Sequence, residues 1–321
     1  MNEVQQRLVN ELRNKVESKG TLVHELVELL DISQDSVYRR LRGDSEFTLT
    51  EIYKMTNQYN LAMDSILNRN ITSTTFRFNK LYEQNDAFIP YIVSLTRQME
   101  LLSRAKGKLS FVASELPISQ SFQNQGLRDF KIYYWQKVVL NKPKLKGVKF
   151  DETFGLGINI NEHVNSLMHS YAHMKKVEIW TEETLDDTIR QLLYCRDSGL
   201  LDKPMLQMVG QSMMDLLHRL ESELEMHRGE NDANNLTFYV SSVELGNNVI
   251  LMDFGTHRNA YVKFNTFNTV STGSDDFCDE IELMIKSNLT KSVEISGKSD
   301  IFRHKFFTTL RGKVQALCDS N

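Results

Sequence analysis

Residues 21–43 read TLVHELVELLDISQDSVYRRLRG, and they contain two short helical patterns with a polar break between them. The first pattern places four leucines on one helical face: Leu22, Leu26, Leu29 and Leu30. The break is Asp31-Ile32-Ser33, and the second pattern follows over residues 34–42. Two short helices joined by a turn of about three residues form a helix-turn-helix, so the stretch predicts that motif.

The second pattern carries its own start and stop signals. Ser33 can cap the helix by accepting a hydrogen bond from a free backbone N–H, and Asp35 places negative charge where the helix dipole favours it. Val37 and Leu41 share one face and are expected to point inward. Gly43 can end the helix in the left-handed conformation.

Polar and charged side chains occupy the outer face of this predicted helix, and their types suit the major groove of DNA. An arginine can bind guanine with two hydrogen bonds, a glutamine can do the same with adenine, and a carboxylate can accept from cytosine. The N-terminal part of such a helix usually contacts bases. We therefore expect four residues to contact bases: Gln34, Asp35, Ser36 and Arg39. Phosphate contacts are expected from Tyr38, Arg40 and Arg42, and from Thr48 or Thr50 beyond the glycine, with Ser33 at the start of the helix.

Residues 21–67 resemble the lambda-repressor-like (Cro/CI, XRE-type) DNA-binding domain, in which a short loop and two packing helices follow the helix-turn-helix. The resemblance implies a transcriptional regulator that binds double-stranded DNA. Asp31 stands where the family usually has glycine, and Val27 stands where it has a small alanine. Leu41 lies one place later than the usual apolar anchor, which leaves open whether Arg39 or Arg40 contacts bases.

The alternative to a DNA reader is a helical hairpin with a solvated, arginine-rich face, which is what charge runs on helices usually are. Two features favour DNA binding over it. The cap, the turn and the closing glycine fall at the intervals that a helix-turn-helix requires. The arginines also concentrate on the one helix where binding would need them.

Composition limits how the chain can bind nucleic acid. Its 321 residues include 38 Lys and Arg against 42 Asp and Glu, a formal net charge of -4. Because no global positive field is present, non-specific DNA binding is predicted to be weak, salt-sensitive and helped by a homodimer.

No cofactor, metal or catalytic residue is predicted. The three cysteines, Cys195, Cys278 and Cys318, are far apart and match neither a disulfide framework nor a zinc spacing. His169 and His173 are spaced to chelate a metal from one helix, but nothing nearby completes a recognisable site. The sequence shows no signal peptide and no membrane span, so a reducing cytoplasm is the expected location.

Outward from the motif, the chain predicts two domains joined by a linker. A first amphipathic helix over residues 3–17, a helix capped by Thr48 or Thr50, and a short helix over residues 62–67 complete an all-α five-helix domain, residues 1–68. Residues 69–75 are polar and form the predicted linker. Residues 76–321 mix helical and strand patterns, which predicts an α/β regulatory or dimerisation domain with a mostly antiparallel sheet.

Two features of this second domain bear on its assembly and topology. Residues 236–242, 249–254 and 260–264 read as three strands at hairpin spacing, which predicts an antiparallel meander. The long helical stretch 202–228 carries a seam of apolar residues at heptad-like spacing. That seam is either a dimer contact or the buried face of a core helix.

The sequence therefore indicates a cytoplasmic, sequence-specific DNA-binding transcriptional regulator with a C-terminal domain that dimerises, senses an unknown small-molecule effector, or both. Two other functions remain open at this point. The helical domain could be a protein-interaction module that never touches DNA. Alternatively the protein could be an enzyme with an unrecognised site in residues 76–321, although no residue pattern there names a reaction.

Overall fold

The structure is a computed structural model that describes residues 3–15, 19–59, 61, 63–67, 73–82, 88–151, 154, 160–226, 235–297 and 299–320. The chain divides into two compact units, Met1–Phe76 and Arg77–Asn321. Residues 16 and 17 of the predicted first helix and residues 69–72 of the predicted linker lie outside the described residues.

The first unit is helical, as the sequence predicts. Its described helices are α1 (Glu3–Lys15), α2 (Lys19–Leu30), α3 (Gln34–Arg42), α4 (Leu49–Tyr59) and α5 (Met63–Leu67). They enclose one apolar core, to which α1 contributes Leu8 and Leu12, α2 contributes Leu22 and Leu26, and α4 contributes Met55. Each of these five side chains is at most 2% exposed, so the apolar faces of the amphipathic helices pack together in one core.

The second unit is an α/β fold. Its described α-helices are α6 (Phe88–Arg104), α7 (Ile118–Ser121), α8 (Gln125–Tyr134), α9 (Asn161–His173), α10 (Asp186–Asp197), α11 (Lys203–Glu225), α12 (Asp275–Leu289) and α13 (Asp300–Asp319). A π-helical segment, Trp135–Val139, continues α8, and a 3-10 turn forms at Pro143–Leu145.

A single sheet of eight described strands forms the centre of this unit. The strands are β1 (Arg77–Phe78), β2 (Lys108–Ala113), β3 (Lys175–Trp180), β4 (Leu236–Ser241), β5 (Val249–Asp253), β6 (Arg258–Lys263), β7 (Thr269–Thr272) and β8 (Ser292–Glu294). Their order is β1-β7-β6-β5-β2-β3-β4-β8. Only β2–β3 and β3–β4 are parallel pairs among the described strands, which confirms the predicted mostly antiparallel sheet.

Alternate residues of the strands point to opposite faces of the sheet, and the two faces are covered differently. Val112, Ile179 and Leu251 face α12, which buries Cys278 and Ile281 against them. The opposite face carries larger side chains and is covered by several helices, among them α6, α8, α11 and α13. We call this second side the crowded face of the sheet.

The predicted meander is wrong in its first connection. Strand β4 pairs with β3 in parallel and with β8, while β5 pairs with β2 and β6. Helices α10 and α11 supply the long crossover that a parallel β3–β4 pair requires. The turn signals at residues 246–248 therefore lie in a connection between two strands that are not neighbours in the sheet. The β5–β6 connection is a hairpin, as predicted.

The apolar seam of the long helix is a core feature. Helix α11 buries Leu206, Val209, Met213, Leu216 and Leu220 inside the largest core cluster of the unit. Phe306 and Leu310 of α13 and Phe130 of α8 belong to the same cluster. This confirms the buried-helix alternative for the seam.

Candidate nucleic-acid interface

Helices α2 and α3 form the predicted helix-turn-helix, joined by residues 31–33. Asp31 adopts the left-handed conformation at φ 56°, and its backbone N–H donates to the Val27 carbonyl at 3.0 Å. Aspartate tolerates this conformation because its short side chain can bond locally. The turn is therefore formed without the glycine that stands there in the lambda-repressor-like family. Val27 packs against the helical core in partly buried form.

Both ends of α3 are capped as the sequence predicts. Ser33 has extended backbone angles, and its Oγ accepts from the Ser36 backbone N–H at 3.3 Å. At the other end Gly43 has a φ of 83°. The Gly43 N–H donates to the Arg40 carbonyl at 3.0 Å, and the Asp44 N–H donates to the Arg39 carbonyl at 2.8 Å. These two bonds form a Schellman cap, which fixes the length of the helix at residues 34–42.

The two faces of α3 separate apolar from polar side chains. Val37 is fully buried and Leu41 is 8% exposed, which confirms the predicted inward face. Four residues on the other side are exposed: Gln34, Asp35, Arg39 and Arg42. Tyr38 is 42% exposed beside them. A short, capped helix thus presents a polar row away from its own core.

Arg39 and Arg40 are neighbours in sequence but lie in different environments. Arg40 binds Glu51 of α4 with two contacts, Nε to Oε2 at 3.0 Å and Nη2 to Oε1 at 2.9 Å. Both side chains are mostly buried, at 18% and 11% exposure. Arg39 is exposed and has no ion-pair partner among the described residues. This difference in environment bears on which of the two arginines could contact bases.

Glu51 also closes the start of α4. Its Oε2 accepts from the Thr48 backbone N–H at 2.8 Å, and the Glu51 N–H donates to Thr48 Oγ1 at 3.2 Å. This reciprocal pair is a capping box. Burial raises the pKa of the Glu51 carboxyl, but the hydrogen bonds from Thr48 and Arg40 and the charge of Arg40 outweigh it and leave that pKa lowered. Glu51 is therefore a charged acceptor that ties α3 to α4.

A side chain of α1 fixes the other side of the same region. Gln5 is 7% exposed, and its Nε2 donates to the carbonyl oxygens of Arg40 at 2.9 Å and Ser45 at 2.8 Å. The end of α3 and the loop that follows it are thus held to the first helix. Since Gln5 and Glu51 contact α3 from two different helices, its orientation in the unit is fixed by hydrogen bonds as well as by apolar packing.

The remaining predicted site residues lie at the edges of the exposed face. Arg42 pairs with Asp44 at 3.0 Å, and both side chains are more than half exposed, so the pair is solvated. Thr48 is exposed, although its hydroxyl accepts the capping hydrogen bond. Ser36 is partly buried, and its hydroxyl lies 2.9 Å from that of Ser33.

Neither Gln5 nor Glu51 is among the residues predicted from the sequence. The Thr48-x-x-Glu51 spacing is a visible capping-box signal, but the bidentate contact from Arg40 is not, because it crosses the loop between two helices. Gln5 carries no local signal, since a glutamine on an amphipathic helix is usually solvated.

The described part of the chain gives no metal site. Among these residues, no three His, Cys, Asp or Glu side chains come close enough to hold an ion. His173 Nδ1 lies 2.7 Å from the His169 carbonyl oxygen, so its ring is engaged with the backbone of its own helix. None of the described helices is both long and apolar enough to cross a membrane.

Comparison with known families places the helical unit in a regulatory context. Residues 4–76 match the BetR domain, a helical N-terminal domain of transcription regulators. The match covers less than a quarter of the 321-residue chain and coincides with the unit that contains α1 to α5. No curated protein and no solved structure matches the chain. The match indicates a transcription-regulator-like role, and the lambda-repressor-like type stays a prediction.

Proposed function

We propose that the protein is a sequence-specific DNA-binding transcriptional regulator whose α3 enters the major groove. The observation that carries the proposal is the exposed polar face of α3, on a helix that is capped at both ends and tied to α1 and α4. A side chain that reads a base must be held in register, and this helix is held by its neighbours. We further propose that the unit is of the lambda-repressor-like type.

The structure supports different roles for the predicted residues. Gln34, Asp35 and Arg39 are exposed near the start and middle of α3, and we assign them to base contacts, with Ser36 beside them. Tyr38, Arg42 and Thr48 are assigned to phosphates. Arg40 is assigned to neither group, because its guanidinium is engaged by Glu51. Arg40 is instead a positioning residue that orients α3, and Ser33 is its cap.

Homodimerisation is part of the proposal for a physical reason. One helix contacts only a few base pairs, and two helices related by symmetry read half-sites about 10 base pairs apart. The net charge of -4 supplies little long-range attraction, so a second copy would raise the affinity through effective concentration. We propose that the α/β unit, Arg77–Asn321, provides dimerisation, effector sensing or both, and that the protein acts on DNA in the cytoplasm. The proposal assigns no catalytic reaction to either unit.

Selection of bound duplexes from a random library tests the proposal. We expect enrichment of a palindromic consensus, because a symmetric dimer reads the same bases twice. Affinity for that consensus should fall steeply with salt, by roughly one unit of log–log slope for each phosphate contact. A library that shows no enrichment at low salt would overturn the proposal.

A protein-interaction module is the second candidate, and one observation favours it. Leu49 and Tyr53 lie one turn apart on α4 and are 85% and 68% exposed. Exposed apolar side chains at this spacing suit a partner helix. The change Tyr53→Glu separates the two functions, because it should abolish partner binding by this face, whereas a DNA reader should keep its consensus.

A further inference from the structure

A small cavity lies inside the α/β unit, on the crowded face of the sheet. Its volume is about 110 Å³, which is of the same order as the ~150 Å³ of an apolar protein cavity that takes up benzene. The sheet contributes Phe111, Ile250 and Tyr261, which lie side by side on β2, β5 and β6. Helix α6 covers this row. The cavity is therefore of a size for one aromatic ring.

One wall of the cavity is a fixed aromatic surface. Trp135 stacks on Phe267 with ring centroids 4.8 Å apart and an angle of 23° between the rings. Tyr91 packs edge-on against Phe267, and its hydroxyl donates to the Phe267 carbonyl at 2.7 Å. Trp135 is also the first residue of the π-helical segment, a rare conformation that is frequent at functional sites. Tyr91, Trp135 and Phe267 all line the cavity, so this wall is aromatic and suits contact with a flat ring.

A buried lysine borders the same cavity. Lys131 lies one turn before Trp135 and is 5% exposed. Its Nζ donates to Thr188 Oγ1 at 2.7 Å and to Gln191 Oε1 at 2.8 Å, both neutral oxygens. A lysine ammonium has three donors, so these bonds leave one N–H. Among the described residues, no carboxylate lies within 4.0 Å of this amine.

Burial of the Lys131 ammonium group disfavours its charged form. Burial lowers the pKa of Lys131 to about 7, although the negative charge of Asp187 opposes the shift. A buried cation without a counter-ion is unfavourable, because a medium of low dielectric constant replaces its hydration. An anion bound at the free N–H would supply the missing charge.

The other ionisable groups that line the cavity do not supply it. Glu115 and Lys263 both line its edge, and they form an ion pair with each other. Burial raises the pKa of Tyr91 and of Tyr261, so both phenols are neutral. When Lys131 is protonated, the lining therefore carries one positive charge in excess. A monoanion would neutralise it.

We propose that this cavity binds a small aromatic monocarboxylate, with its ring against the Trp135–Phe267 wall and its carboxylate accepting a hydrogen bond from Lys131. Three features of the cavity define this ligand class. Its volume fits a single ring, its aromatic wall suits a flat apolar surface, and the charge of Lys131 calls for one negative charge. A ligand of this class would be the effector that the α/β unit senses. The inference rests on the proposed function only for this biological role.

The test is a titration of the full chain with benzoate in the absence of DNA, followed by calorimetry and by tryptophan fluorescence. Trp135 should report binding, because it forms the wall that the ring would contact. Benzyl alcohol, which has the same ring without the charge, is the comparison ligand. We expect benzoate to bind wild type saturably and about tenfold more tightly than benzyl alcohol does, since its carboxylate adds an attraction between opposite charges to the hydrogen bond from Lys131.

Three variants locate the site. Lys131→Met should weaken benzoate about tenfold and benzyl alcohol much less, since only benzoate loses the attraction between opposite charges. Lys146→Met makes the same replacement at an exposed lysine outside the lining and should change neither affinity. Ser94 is exposed on α6 at the edge of the cavity, so Ser94→Trp should block both ligands. Circular dichroism verifies folding, and Lys131→Gln replaces Lys131→Met if the latter does not fold.

The outcomes decide the proposal without reference to DNA. Saturable benzoate binding that is weakened about tenfold in Lys131→Met supports it. Benzoate that binds Lys131→Met or Ser94→Trp as tightly as wild type overturns it, and so does the absence of saturable benzoate binding to wild type. A protein that binds benzoate but selects no DNA would overturn only the regulator function.

Discussion

Arg39 and Lys131 both lack an ion-pair partner among the described residues, and they lie in opposite surroundings. Arg39 is exposed on α3, where water stabilises its charge at no cost to folding. Lys131 is buried on α8, where its charge costs stability unless an anion arrives. An unpaired charge at the surface is therefore available for long-range attraction. An unpaired positive charge in the interior instead favours the binding of an anion next to it.

The largest expected effect concerns the buried member of this pair. Below about pH 7 Lys131 is charged in both the folded and the unfolded chain, and folding carries the full cost of burying it. Between about pH 7 and pH 10.5 the unfolded chain binds more protons than the folded one, so the free energy of unfolding rises with pH. Lys131→Met should remove that rise and stabilise the α/β unit at pH 7 by up to about 4 kcal/mol.

Urea unfolding of wild type and Lys131→Met across this pH range measures the effect. Lys146→Met serves as the control, because its amine is solvated. If wild type and Lys131→Met show parallel pH profiles, the amine is hydrated and the comparison with Arg39 fails.

The second effect concerns Arg40, whose replacement is compared with that of Arg39 on the same helix. Arg40→Met leaves Glu51 buried without its charged partner, and breaking such a pair costs about 3 kcal/mol. Arg39→Met should cost less than about 0.5 kcal/mol, since it changes an exposed position. Hydrogen exchange of the α3 and α4 amides in the full chain measures both losses. Equal losses in the two variants would contradict the assignment of Arg40 as the positioning residue.

A third effect concerns base recognition by Arg39. Arg39→Ala should lose about 1–3 kcal/mol of discrimination at one base pair of each half-site, because a bidentate arginine contact is specific for guanine. The loss should not extend to the rest of the consensus. Binding of duplexes with single substitutions to wild type and to the variant measures this value. Uniform weakening across all duplexes would instead make Arg39 a phosphate contact.

The smallest effect is expected at Arg42, whose solvated pair with Asp44 lies at the edge of the exposed face. Arg42→Gln should weaken every duplex alike and reduce the salt slope by about one unit. A salt titration on the consensus and on one unrelated duplex measures this. A change of sequence preference would show that Arg42 reads bases.

The sequence predicted the helix-turn-helix well because its signals are local. Ser33, Asp31 and Gly43 each act within a few residues, and all three adopt the expected role. Sheet order could not be predicted in the same way. The strands of a parallel pair are joined by a long crossover, so turn residues such as 246–248 do not reveal which strands are neighbours.

The same distinction holds for the candidate sites. The exposed residues of α3 follow from helical spacing, whereas the contact of Arg40 with Glu51 depends on how two helices pack. Lys131 had no sequence signal, because a lysine in a helix is usually solvated. Its environment depends on the tertiary structure, because Thr188 and Gln191 of α10 accept its hydrogen bonds.

The central claim is that the side chains of α3 lie in the major groove of a specific DNA site. Dimethyl sulfate probing of the selected duplex tests this most directly, since the reagent methylates guanine N7 in that groove. The account predicts protection of guanine N7 by wild type in two half-sites about 10 base pairs apart, with protection at one guanine per half-site lost in Arg39→Ala. Bound protein that leaves every guanine N7 reactive would contradict it.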